Sequence, residues 1–254
     1  MPSASWGSGT RPSRRTDPLG RLWLAGAAAA LFTLYTFTSR SLPTLQWQAD
    51  AVVSSLVSLP LLALILFGLL PLRRAGSRLL IIAAAALPVA VVASYLQWML
   101  PADLAKILLA AALGSWMAAQ VQTVAVIVLI AGLSTIVDMY SVFAGPTKVL
   151  LARAPQTVDY FVVTLPLFGY TLREAYSALG TSDLLFFALY LGATLVFDLR
   201  LRLTLVCMTA SFLATMVIGL WVSALPALPL LAVAFVAANG DLLWRNLRSP
   251  SRPA

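Results

Sequence analysis

The stretch Val121–Ala144, VQTVAVIVLIAGLSTIVDMYSVFA, decides how this chain folds. It is long and apolar enough to cross a bilayer as a helix. Its one charged residue is Asp138, with no basic residue beside it. A carboxyl inside a membrane span is expensive to hold, so by default it marks a functional site. A second apolar run, Tyr176–Phe197, carries Asp183 in the same way. Two acids at similar depth in consecutive spans suggest a pair that shares work.

The rest of the chain has the same character. Of its 254 residues, 61% are hydrophobic and only 10% are charged. A soluble domain of this size has too little interior to hide so much apolar surface. Further apolar runs cover Leu22–Ser39, Val52–Leu70, Leu79–Leu100, Leu104–Ala119, Leu203–Leu225 and Pro226–Trp244. The reading is an all-α polytopic membrane protein, a bundle of about eight transmembrane helices. Leu104–Ala119 is short and runs into Val121 with almost no loop, so those two runs could instead form a long helix with a re-entrant piece. The run Tyr160–Tyr170 is too short to cross and reads as strand-like or interfacial.

Residues 1–21 read as a disordered basic tail, 22–120 as an N-terminal helical bundle and 121–244 as a second helical half carrying both acids. That half holds a loop over 145–175, and 245–254 form a short basic tail. Cys207 stands alone, so no disulfide framework exists. With no histidine in the chain, His-based acid–base chemistry and the usual zinc sites are excluded. Proton chemistry falls to carboxylates, tyrosines or lysines.

The net charge is +8. The basic residues sit beside the spans, which marks topology and contact with anionic lipid, not nucleic-acid binding. Alternating eight spans places twelve of the seventeen Lys and Arg residues on one side, among them Arg21, Arg73, Arg74, Arg78, Arg200 and Arg202. The positive-inside rule then puts both termini in the cytoplasm and the 145–175 loop outside. Asp138 stands about two turns before that loop and Asp183 about two turns into its own span, near the same membrane face. Lys106, near the start of its span, is expected to snorkel outward. Asp241 is expected to pair with Arg245 at i,i+4 spacing, and most tryptophans to anchor at the interfaces.

For the acid pair three roles compete: a coupling-ion site in a transporter, a metal site, or an aspartic-protease dyad in which two close carboxyls share one proton. On the pair alone, transport is the commoner use of buried membrane acids. The flanking residues change the ranking. Val137-Asp138, Gly180-Thr181-Ser182-Asp183 and Pro226-Ala227-Leu228-Pro229 follow in order at the ends of three spans. Taken singly, the Gly-Thr-Ser run suits small-residue helix packing and the Pro run suits a helix start. Together they resemble the presenilin and signal peptide peptidase family of intramembrane aspartyl proteases. That family carries Tyr-Asp, Gly-x-Gly-Asp and Pro-Ala-Leu in successive helices of its catalytic half.

The resemblance covers roughly Thr135 to Phe235 and suggests a bacterial or archaeal member. It implies that Asp138 and Asp183 are the catalytic pair, working without metal or organic cofactor. It implies that Gly180, Ser182, Pro226, Ala227 and Leu228 bind an unwound transmembrane peptide or membrane-protein substrate. The protein is expected to be a multi-pass protein of the cell membrane; with the topology above its site would open outward, as in the signal peptide peptidase branch, and its substrates would have cytoplasmic N-termini, such as remnant signal peptides. Three departures stand: Val137 replaces the tyrosine, Ser182 replaces the second glycine, and eight spans are read where the family has nine. The alternatives are a proton- or cation-coupled transporter using the same acids, or an inactive scaffold on the protease fold. The sequence carries no sign of oligomeric state.

Overall fold

The structure, a computed structural model, describes residues 18–145, 155–172, 176–222 and 225–248. Residues 1–17 of the expected 1–21 tail, residues 146–154 and 173–175 of the expected 145–175 loop, and residues 249–254 of the expected C-terminal tail lie outside these. The elements are α1 (Pro18–Thr38), α2 (Trp47–Leu69), α3 (Arg78–Tyr95), α4 (Met99–Gln120) and α5 (Val124–Phe143), then strands β1 (Val162–Pro166) and β2 (Tyr176–Gly180). They are followed by α6 (Thr181–Val196), α7 (Leu201–Gly219) and α8 (Leu228–Arg248). Seven of these helices are long and apolar enough to cross a membrane, while α6 has 16 residues. The chain is an all-α polytopic membrane protein with one two-stranded antiparallel hairpin.

Several boundaries differ from expectation. Helix α1 begins at Pro18, a residue suited to the first turn because its missing N–H would be unpaired there anyway. Helices α4 and α5 are separate, divided by extended backbone at Val121 and Thr123, with no re-entrant piece between them. The largest correction concerns Tyr176–Phe197. Its first five residues form β2, and the helix begins only at Thr181. Apolar composition alone does not separate a short strand from a helical turn. Asp183 therefore stands in the first turn of α6, not two turns in.

Small residues set the central packing. A Cβ added at Gly114 on α4 would run into the Leu185 carbonyl of α6, and one added at Gly192 on α6 would sit 2.5 Å from Ala118 Cβ on α4. Such small-residue contacts let helices approach closely where lipid supplies no hydrophobic drive.

At the basic end of the bundle, buried Asn239 is fully used. It donates to Thr204 Oγ1 at 2.8 Å and to the Phe235 carbonyl at 3.0 Å, and accepts from Arg200 N at 3.0 Å. Asp241 pairs with Arg200 through two bonds of 2.9 and 2.7 Å, not with Arg245. Arg200 meets both carboxylate oxygens with the planar fork of its guanidinium, a paired geometry.

The hairpin sits at the other end, pinned by α2 and α4. Lys106 does not snorkel. It is buried, 3.5 Å from Asp103, and donates to the Asp159 and Val162 carbonyls at 2.6 and 2.7 Å. Asp103 also accepts from the Thr164 hydroxyl. Ser54 donates to the Pro166 carbonyl, and Asp50 accepts from Phe168 N at 3.0 Å. The strand register pairs Val162 with Gly180, and Thr181 N donates to the Phe161 carbonyl. Backbone groups of Val162, Thr164 and Pro166 therefore face away from β2, and two of those carbonyls are taken by Lys106 and Ser54. By the same alternation, the amides and carbonyls of Ala178 and Gly180 lie on the opposite, outer edge of β2.

Candidate active site

Asp138 stands within two turns of the end of α5. Its Oδ2 accepts the Leu228 amide at 3.0 Å, and the Ala227 amide is also directed to it. These amides are free for a physical reason: they belong to the start of α8, where N–H groups have no partner within the helix. The positive end of the α8 dipole favours an anion there. The Pro-Ala-Leu segment thus meets the acid of α5 across ninety residues of sequence.

Asp183 is the third residue of α6, and its carboxylate reaches back to the backbone N–H of Gly180, the cap residue. This is the returning half of a capping box, with the acid at the third helical position. Gly180 has φ −61° and ψ 136°, which any residue adopts. Glycine is needed for space, since a Cβ there would lie 2.7 Å from Asp183 Oδ2.

Both carboxylates line one cleft of about 570 Å³, and Asp183 lies within the field of Asp138. Its walls are the start of α2 at Trp47 and Ser55, the β2 residues Ser177–Gly180, the end of α7 at Thr215 and Met216, and Pro226–Ala227. Six of the seven residues expected from sequence line it: Asp138, Asp183, Gly180, Ser182, Pro226 and Ala227. Leu228 does not. Its side chain is buried in the core, and only its amide serves the site. Val137 points outward with 63% exposure, so the departure at that position does not touch the cleft.

A polar bridge lies beneath the acids. Ser134, one turn before Asp138, meets the Tyr190 hydroxyl at 3.2 Å, two turns after Asp183. Tyr190 is fully buried and stacks on Phe235 of α8 at 4.8 Å. This bond ties the two acid-bearing helices together below the cleft. Sequence reading missed Tyr190, Ser134, Asp50 and the Asp103–Lys106 pair. The i,i+3 spacing of Asp103 and Lys106 inside an apolar run was the available signal.

Among the described residues, no group of three or more His, Cys, Asp or Glu side chains gathers as metal ligands would. Comparison with protein-family models, with curated proteins and with solved structures finds no match to this chain.

Proposed function

We propose that this protein is an intramembrane aspartyl protease of the presenilin and signal peptide peptidase type, hydrolysing peptide bonds within transmembrane segments. The observation that carries this reading is the meeting at one cleft of three segments far apart in sequence. Asp138, Gly180–Asp183 and Pro226–Ala227 all line it, and the start of α8 donates to Asp138.

Two close carboxyls hold one proton between them. The ionised member takes a proton from water as the water oxygen attacks the peptide carbonyl carbon. The protonated member gives its proton to the carbonyl oxygen. Collapse of the tetrahedral species breaks the C–N bond, and the amine leaves with a proton from the pair. A substrate helix must unwind first, and its freed backbone needs partners that lipid does not offer. The outer edge of β2 suits that need by strand addition, because it runs along the cleft while the far edge of β1 is occupied by Lys106 and Ser54.

The protein belongs on this reading to the cell membrane, with both termini cytoplasmic and the cleft at the outer face. Transmembrane peptides with cytoplasmic N-termini, such as remnant signal peptides, are the substrates it would meet. The test is purified protein in vesicles with a labelled transmembrane peptide. Cleavage within the span, without proton-driven uptake, is the expected result. Uptake of a solute without cleavage would move the same acids to the carrier reading, and peptide binding with neither would leave a scaffold.

Gly180→Ala tests the spacing at Asp183. The added methyl must displace the carboxylate, while the backbone accepts alanine. Cleavage is expected to fall by a factor on the order of 10², with the melting temperature nearly unchanged. A variant that cleaves at the wild-type rate would show that this contact does not position the acid.

A further inference from the structure

At the end of the bundle opposite the acids, a recess of about 130 Å³ lies between the start of α1, the turn after α2 and the end of α6. Pro18, Arg21, Leu70, Pro71, Arg73, Arg74 and Leu195 form it. Arg74 acts on Arg21, and both act on Arg73, so the three guanidinium groups repel one another. The Arg21 guanidinium rests 5.1 Å over the Phe67 ring, which fixes its direction. Among the described residues, the ion pairs are Asp103–Lys106 and Arg200–Asp241, and neither lies at this recess.

Topology alone does not require this arrangement. The positive-inside rule counts basic residues on one side of the membrane and is satisfied by arginines spread apart. Gathering three of them around one hollow, two of them half-buried, costs repulsion that an anion would remove. Arginine is the side chain suited to phosphate, through paired N–H donors.

We propose that Arg21, Arg73 and Arg74 form a binding site for a phosphate group at the basic face of the bundle. The phosphate can come from a lipid headgroup in the surrounding leaflet or from a soluble phosphate. The site stands independently of the reaction proposed above.

Native mass spectrometry of the full chain, after exposure to phosphatidic acid or phosphatidylcholine, tests it, with inorganic phosphate in a parallel melting experiment. Retention of phosphatidic acid over phosphatidylcholine is expected. The double variant Arg73→Gln/Arg74→Gln should lower that retention roughly 30-fold, from roughly fivefold per arginine. Arg202→Gln/Arg245→Gln, on exposed residues of the same face outside the recess, should leave retention as in wild type. If inorganic phosphate instead raises the wild-type melting temperature and not that of the double variant, the site holds and its ligand is soluble. Equal lipid retention in wild type and the Arg73/Arg74 variant together with an equal effect of inorganic phosphate on both, or equal loss of retention in both double variants, overturns it. Should the double variant fail to fold, Arg21→Gln alone is read the same way.

Discussion

On the protease reading, Asp138→Asn and Asp183→Asn proteins should each fold as the wild type does and lose cleavage of a transmembrane peptide by a factor of about 10² to 10⁴. The fold survives because asparagine keeps an acceptor oxygen. At position 138 it still takes the Leu228 amide, and at 183 it still reaches Gly180. Activity is lost because neither amide can accept a proton from water or supply one to the leaving amine. The two residues work as one unit, so the double variant should be little worse than either single one. The wild-type rate should fall on both sides of its pH optimum. At low pH both carboxyls are protonated and no base remains; at high pH both are ionised and no acid remains. Peptide cleavage followed by mass spectrometry, beside circular dichroism of each variant, checks all of this. Cleavage by Asp183→Asn within a few-fold of wild type would remove the basis of the protease reading.

The helical frame was legible because lipid imposes a simple rule: a run that crosses must be apolar and helical. That rule fails where a segment enters the membrane end of the bundle without crossing it. The residues Tyr176–Gly180 are apolar enough to look like the start of a span, yet they form β2 because β1 supplies a partner strand. Both acids and the Pro-Ala-Leu segment were legible as unusual features within apolar runs. Their convergence at one membrane face was legible too, from the alternation of spans; the contact itself was not, because it depends on α8 bringing its first amides to Asp138. The interior hydrogen bonds of Tyr190 and Lys106 were hidden for a related reason. A lysine near a span end normally reaches for the interface, and a tyrosine within a span names no partner in sequence, so only the tertiary fold shows which neighbouring element meets each.

The second large effect concerns Lys106. An ammonium has three donors, and here each faces an acceptor: the Asp159 carbonyl, the Val162 carbonyl and Asp103. Both members of the ion pair are buried. Lys106→Met keeps the stem volume but leaves the Asp103 charge and the Asp159 and Val162 carbonyls without their partner. Breaking one side of a buried pair costs about 3–5 kcal/mol, so the melting temperature in detergent should drop by roughly 10 °C. The double variant Asp103→Leu/Lys106→Met removes the orphan charge and should regain a good part of that loss, although Thr164 then lacks its acceptor. Because Lys106 and Asp103 of α4 hold β1 through Val162 and Thr164, both variants should also loosen the hairpin whose other strand borders the cleft. Hydrogen exchange at the amides of β1 and β2 reads this directly, with faster exchange in Lys106→Met than in wild type. A Lys106→Met protein that melts within about 2 °C of wild type and protects its strand amides equally would show that the pair does not hold the hairpin in place.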